Sequence, residues 1–137
     1  MRIVQKPKYE IWVPGRPRSQ NNTTKSLSRY IQELKRSARE AVNSKSLSPR
    51  VDVEIVFAST HFDTGDVDNI IKPILDALKG IAYQDDKQVR SVKATAIPLD
   101  EPVGFSGSLD TYDRLAKQDP KEFLVRIFED IHLRGEV

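Results

Sequence analysis

Apolar residues recur along this chain in two rhythms. Tyr9–Val13 (YEIWV) is a short β-branched and aromatic run closed by Pro14-Gly15, and predicts a first strand with Trp12 in the core. From Ser28 to Asn43 the period becomes helical. Ile31, Leu34, Ala38, Ala41 and Val42 share one face, and Ser28 is placed to cap the amino end. SKSLSPR (44–50) has the composition of a linker. Arg50–Ser59 alternates, with Val51, Val53, Ile55 and Phe57 on one side and Asp52, Glu54 and Val56 on the other, the pattern of a half-buried strand. A polar loop, THFDTG, leads into a second helix. There Ile71, Leu75 and Leu78 make an apolar face with Ile74 beside it, Asp66 or Asp68 serves as N-cap, and Gly80 is the stop. Pro73 sits early in that helix, past the position where proline costs nothing, and predicts an irregular first turn. After a turn at Gln84-Asp85-Asp86, Gln88–Leu99 reads as a strand. Leu109–Gln118 reads as a short helix capped by Asp110, and Glu122–Phe128 as a last strand.

These elements predict an α+β (mixed α/β) fold of a single domain spanning 1–137, with a mixed sheet of about four strands packed by two or three helices. No internal repeat or heptad run interrupts it. A hydrophobic content of 38% with 31% charged residues is ordinary for a globular domain. No cysteine is present, which excludes disulfides and thiolate metal sites and suits a reducing cytoplasm. No apolar run approaches the roughly 18 residues of a membrane span, so no membrane contact is expected.

Charge changes the picture. The net charge is only +2, but residues 1–50 hold 12 Lys/Arg against 3 Asp/Glu, a net +9. Residues 51–137 hold 10 against 17, a net −7. A basic third beside an acidic remainder suits a protein that grips phosphates on one face and holds cations on another. The candidate grips are Arg16 and Arg18 in the proline-rich turn, and Lys35, Arg36 and Arg39 on the first helix.

The acidic chemistry is concentrated in residues 65–89, GDVDNIIKPILDALKGIAYQDDKQV. Asp66 and Asp68 flank one residue, Lys72 follows Asp68 by one helical turn, and Asp85-Asp86 follow the glycine stop. Carboxylates beside a lysine are what magnesium-dependent phosphoryl transfer needs: the acids hold a hard cation, and cation and lysine offset charge on a phosphate. Taken singly, each feature is ordinary: an acidic helix cap, a Lys72–Asp76 surface pair, a polar turn. The order and spacing together point to a site. If the strand after Asp86 returns beside the helix amino end, the two acidic pairs meet. His61 and Asp63 in the preceding loop are lesser candidates.

DVDN, then IIKPILDALKG, then DDKQV, closely resembles the core signature of RusA-like Holliday-junction resolvases, a family of small, largely phage-borne, magnesium-dependent endonucleases. The resemblance covers about 25 contiguous residues. It implies that Asp68 and Asp86 are the principal Mg²⁺ ligands with Asp66 a third, Mn²⁺ being able to substitute, and that Asp85 caps or supports. Lys72 would face the scissile phosphate, and Asn69 would bond the phosphate or the backbone. It further implies a branched-DNA substrate, the four-way junction, and a homodimer whose two sites make paired symmetric nicks. The rival readings are a non-catalytic branched-DNA-binding module, another metal-dependent phosphodiester hydrolase, and a protein-interaction domain. No Walker-type or dinucleotide glycine loop is present to support nucleotide chemistry.

Overall fold

A computed structural model describes residues 6–18, 24–42, 47, 50–59, 67–98, 109–117 and 121–129. In chain order these form β1 (Tyr9–Pro14), α1 (Thr24–Ala41), β2 (Val51–Ser59), α2 (Val67–Leu78), a single 3₁₀ turn at Asp86–Gln88, β3 (Val89–Pro98), α3 (Leu109–Ala116) and β4 (Glu122–Glu129). The four strands make one mixed sheet in the order β1-β4-β2-β3. β4 is antiparallel to both β1 and β2, and β3 is parallel to β2. A parallel pair needs a crossover, and α2 supplies it.

The pleat sends alternate residues to opposite faces of the sheet. On one face Ile11, Val13, Val53, Ile55, Phe123, Val125 and Ile127 are buried against α1 and α2, forming the main core. On the other face α3 covers a smaller core of Val56, Leu124, Ile97 and Leu115. Val56, grouped by its alternation with Asp52 and Glu54, is therefore buried by a helix on the reverse face rather than by the main core. Trp12 packs against this second core half-buried, with the Arg114 guanidinium stacked 3.9 Å from its ring centroid.

Arg114 also makes a bidentate pair with Glu122, Nε to Oε2 at 2.8 Å and Nη2 to Oε1 at 2.9 Å, tying α3 to β4. That pairing holds the Glu122 carboxyl below its usual range and raises Arg114. A carboxyl whose folded pKa is depressed stabilises the fold above its unfolded value, near 4.3, and loses that contribution as pH falls through the depressed value. Glu122→Gln is therefore expected to flatten the acid limb of a Tm-against-pH curve between about pH 5 and 3. An unchanged acid limb would show that the pair contributes nothing to acid stability.

Three local expectations need correction. α1 begins at Thr24, so Ser28 lies within the helix and is not its cap. Its buried stripe runs Tyr30, Leu34, Ala38 and Val42, with Leu27, Ile31 and Ala41 only partly buried. In α2 the buried face is Ile70, Ile74, Ala77 and Leu78, one position round from the expected one, leaving Ile71 and Leu75 half-exposed. The helix runs unbroken through Pro73, which is buried. Gly80 does end α2, at φ +87, where a Cβ is strained.

Candidate active site

The chain leaving α2 is folded back on it by a tightly bonded turn. The amides of Ile81 and Ala82 donate to the Leu78 carbonyl at 3.0 and 2.9 Å, and Gly80 N donates to the Tyr83 carbonyl at 2.7 Å. Tyr83 is fully buried, and its hydroxyl donates to the Leu75 carbonyl at 2.8 Å. Gln88 anchors the next step. Its Oε1 accepts from the amides of Gln84 and Asp85, both at 2.8 Å, and its Nε2 donates to the Leu47 carbonyl at 2.7 Å. Asp85 thus occupies the cap of the 3₁₀ turn, and Asp86 opens the turn toward α2.

The result is a groove of about 300 Å³ lined by Ile71, Lys72, Leu75, Asp76, Asp86 and Val89. Its floor is apolar and its rim charged. Lys72 Nζ lies 3.4 Å from Asp76 Oδ2, and Lys79 Nζ 3.7 Å from Asp86 Oδ2. Both pairs are well exposed, and exposed pairs at such distances contribute only a few tenths of a kcal/mol. Lys72 is therefore easily drawn from Asp76 to a stronger anion such as a phosphate. Burial pushes the Tyr83 phenol well up, and the carboxylates of Asp86 and Asp76 nearby push the same way.

The structure thus places Asp86 and Lys72 in one groove, and adds Asp76, which the sequence places only in a surface pair. Because β3 is parallel to β2, its first residue pairs with Val51 at the start of β2. The turn carrying Asp86 accordingly lies alongside α2, facing Ile71, Lys72, Leu75 and Asp76. Asp68 belongs to the first turn of α2, one helical turn (about 6 Å of axial rise) before Lys72. Asn69, half-buried, follows it. The Asp68 side chain, and Asp66, His61 and Asp63 entirely, lie outside the described residues. Among the described residues no three acidic or histidine side chains gather at metal-ligand spacing.

The basic face is built by α1. Lys25, Arg29, Arg36 and Arg39 are exposed at spacings that place them on one side of the helix, with Lys35 flanking and Arg36 paired to Glu33. Arg16 and Arg18 are exposed just past β1, at the amino end of the same helix. Lys25 and Arg29 are not among the DNA contacts expected from the sequence. Their i, i+4 spacing, and the seven residues from Arg29 to Arg36, identify them once α1 is started at Thr24.

A cationic helix face and an acid-lysine groove on one small mixed sheet define a protein built to handle a polyanion. The family described as Endodeoxyribonuclease RusA matches residues 8–104, which contain β1 to β3 and both charged features. The chain belongs to this family of endodeoxyribonucleases, which act on branched DNA. No curated protein matches the chain at a significant level.

Proposed function

We propose that the chain is a Mg²⁺-dependent endonuclease that resolves four-way DNA junctions by paired, symmetric nicks. The observation that carries this reading is the groove in which Lys72 and Asp86, both inside the family-matched segment, share one wall and one rim. Its donors are carboxylates and the chain holds no cysteine, a set that suits a hard divalent ion. Asp68 and Asp86 would hold that ion with Asp66 as a third ligand, and Mn²⁺ would replace Mg²⁺. When bound, the ion supplies Lewis-acid polarisation of the phosphoryl oxygens.

The chain's own residues do the rest. Lys72 places an ammonium where charge builds on the phosphate, and its weak tie to Asp76 leaves it available. Asn69, next to Asp68 on the first turn, is placed to orient a phosphate oxygen or the turn itself. The cations of α1 hold the DNA backbone, so affinity falls steeply with salt. A junction is two-fold and needs two cuts, whereas one copy of this chain provides one groove. Two-fold pairing of copies supplies the second, so the expected solution mass is twice 15.6 kDa. No helix among the described residues is long and apolar enough to cross a membrane, and we place the activity in the cytoplasm, in phage or prophage recombination and repair.

The test is incubation with a four-way junction and with linear duplex of the same sequence, in Mg²⁺ and in EDTA. Nicking of the junction alone, and only with metal, is expected. Binding without cleavage in both Mg²⁺ and Mn²⁺ would make the protein a non-catalytic junction-binding module. Equal cleavage of both substrates would make it a nuclease without structure selectivity.

A further inference from the structure

The junction of β1 and α1 gathers part of the cationic face into a cleft. Between Pro14 and Gln32 the sequence holds four cations, Arg16, Arg18, Lys25 and Arg29, and no acid. All four line one cleft of about 330 Å³, together with Ser26 and Tyr30. None of the four has an ion-pair partner among the described residues, and Glu33 at the rim is engaged by Arg36. Arg18 donates from Nη1 to the neutral Ser26 Oγ at 2.7 Å, which leaves its charge uncompensated. The first turn of α1 contains no acid and does contain Lys25, a cation at the positive end of the helix macrodipole. Like charges gathered this way oppose folding unless an anion offsets them.

A second, independent observation points the same way. Tyr30 is 5% exposed, and although the Arg18 backbone bears on its buried hydroxyl oxygen, the hydroxyl proton has no acceptor among the described residues. Buried hydroxyls are ordinarily satisfied as donors, so this proton is available to an acceptor in the cleft. Burial pushes this phenol up to about 12, slightly offset by the Arg18 backbone and guanidinium, so at neutral pH it is a proton donor.

We infer that the cleft seats one phosphate of the DNA backbone, with Arg16, Arg18, Lys25 and Arg29 around it and the Tyr30 hydroxyl as a neutral donor at its floor. This rests on the reading of the chain as a DNA nuclease. β1 and β2 are both antiparallel to β4 and so run the same way. The cleft, after β1, and the amino end of α2, after β2, therefore lie at the same end of the sheet. A phosphate fixed in the cleft sets the register of the DNA relative to the catalytic helix, the role of a positioning contact.

The experiment is fluorescence anisotropy of a labelled four-way junction in EDTA across a salt series, with wild type and Lys25→Ala/Arg29→Ala. The double variant is expected to bind at least about tenfold more weakly, with a slope of log affinity against log salt shallower by about 1. In parallel, Tyr30→Phe is expected to raise Tm in chloride and to shrink the Tm rise produced by inorganic phosphate at matched ionic strength. Wild-type binding that the double variant matches in affinity and slope would overturn the seat and leave the nuclease reading standing. A Tyr30→Phe protein of lower Tm, with the phosphate effect intact, would also overturn it. If wild type neither binds nor cleaves DNA while phosphate still raises Tm through Lys25 and Arg29, the DNA reading falls and the cleft is a site for free phosphate.

Discussion

Asp86→Asn is expected to lower junction cleavage at least about 100-fold while leaving junction binding equal or tighter. The substitution keeps size and shape but removes one negative charge from the groove. Asp86 is 60% exposed at the side chain, and its ion-pair partner Lys79 is 3.7 Å away, so little stability depends on it. Folding is thus held constant and chemistry is not. Asp68→Asn should behave the same way if the two acids share one cation. Binding should tighten because a carboxylate in the groove repels the DNA phosphates. Single-turnover cleavage alongside anisotropy separates the two effects. Retained cleavage in Asp86→Asn would remove this carboxylate from the site and leave Lys72 and Asp76 as the chemistry of the groove.

Tyr83→Ala is expected to destabilise the fold by about 3–5 kcal/mol, the range for deleting a fully buried aromatic side chain. The Tyr83 ring is wholly buried, and its hydroxyl satisfies the Leu75 carbonyl, also approached by the Lys79 amide at 3.2 Å. At this chain length the loss corresponds to a Tm lower by roughly 10–20 °C. Tyr83→Phe keeps the ring and removes only the hydrogen bond, for about 1 kcal/mol. Because Tyr83 pins the turn that carries Asp86, Tyr83→Phe should also slow cleavage modestly without changing junction affinity. Thermal unfolding by circular dichroism checks the stabilities. Equal Tm values for Tyr83→Phe and wild type would mean that the hydroxyl bond contributes nothing net.

The local elements are legible in the sequence because each carries its own signal. β2 alternates, α2 is followed by a glycine that takes positive φ, and β4 is an apolar run broken only by Arg126 between its terminal glutamates. The start of α1 is hidden because Thr24, Lys25 and Ser26 are polar. The stripe that extends the helix backward rests on Leu27 and Tyr30, whose apolar role shows only once they pack against the core. The buried face of α2 is displaced by one position for a similar reason. Ile70, Ile71, Ile74 and Leu75 are equally apolar, and only the direction of the sheet decides which of them faces it.

Pairing is what the sequence does not carry. Strand order β1-β4-β2-β3 joins residues over a hundred positions apart, such as Tyr9 and Ile127. The parallel pairing of β3 with β2 is what carries Asp86 alongside α2. Within the site, the spacing of Asp68 and Lys72 along one helix already sets them a turn apart. The placing of Asp86 in one groove with Lys72 and Asp76, and the closing of four cations around Tyr30, depend on contacts between elements.

Junction resolution is tested most directly by nick mapping on a four-way junction carrying a different label on each strand, with Mg²⁺ and wild-type protein. Two nicks are expected, on opposing strands and symmetric about the crossover, yielding ligatable duplexes and vanishing in Asp86→Asn. Cuts scattered over all four strands, or the same cuts on linear duplex, would contradict it.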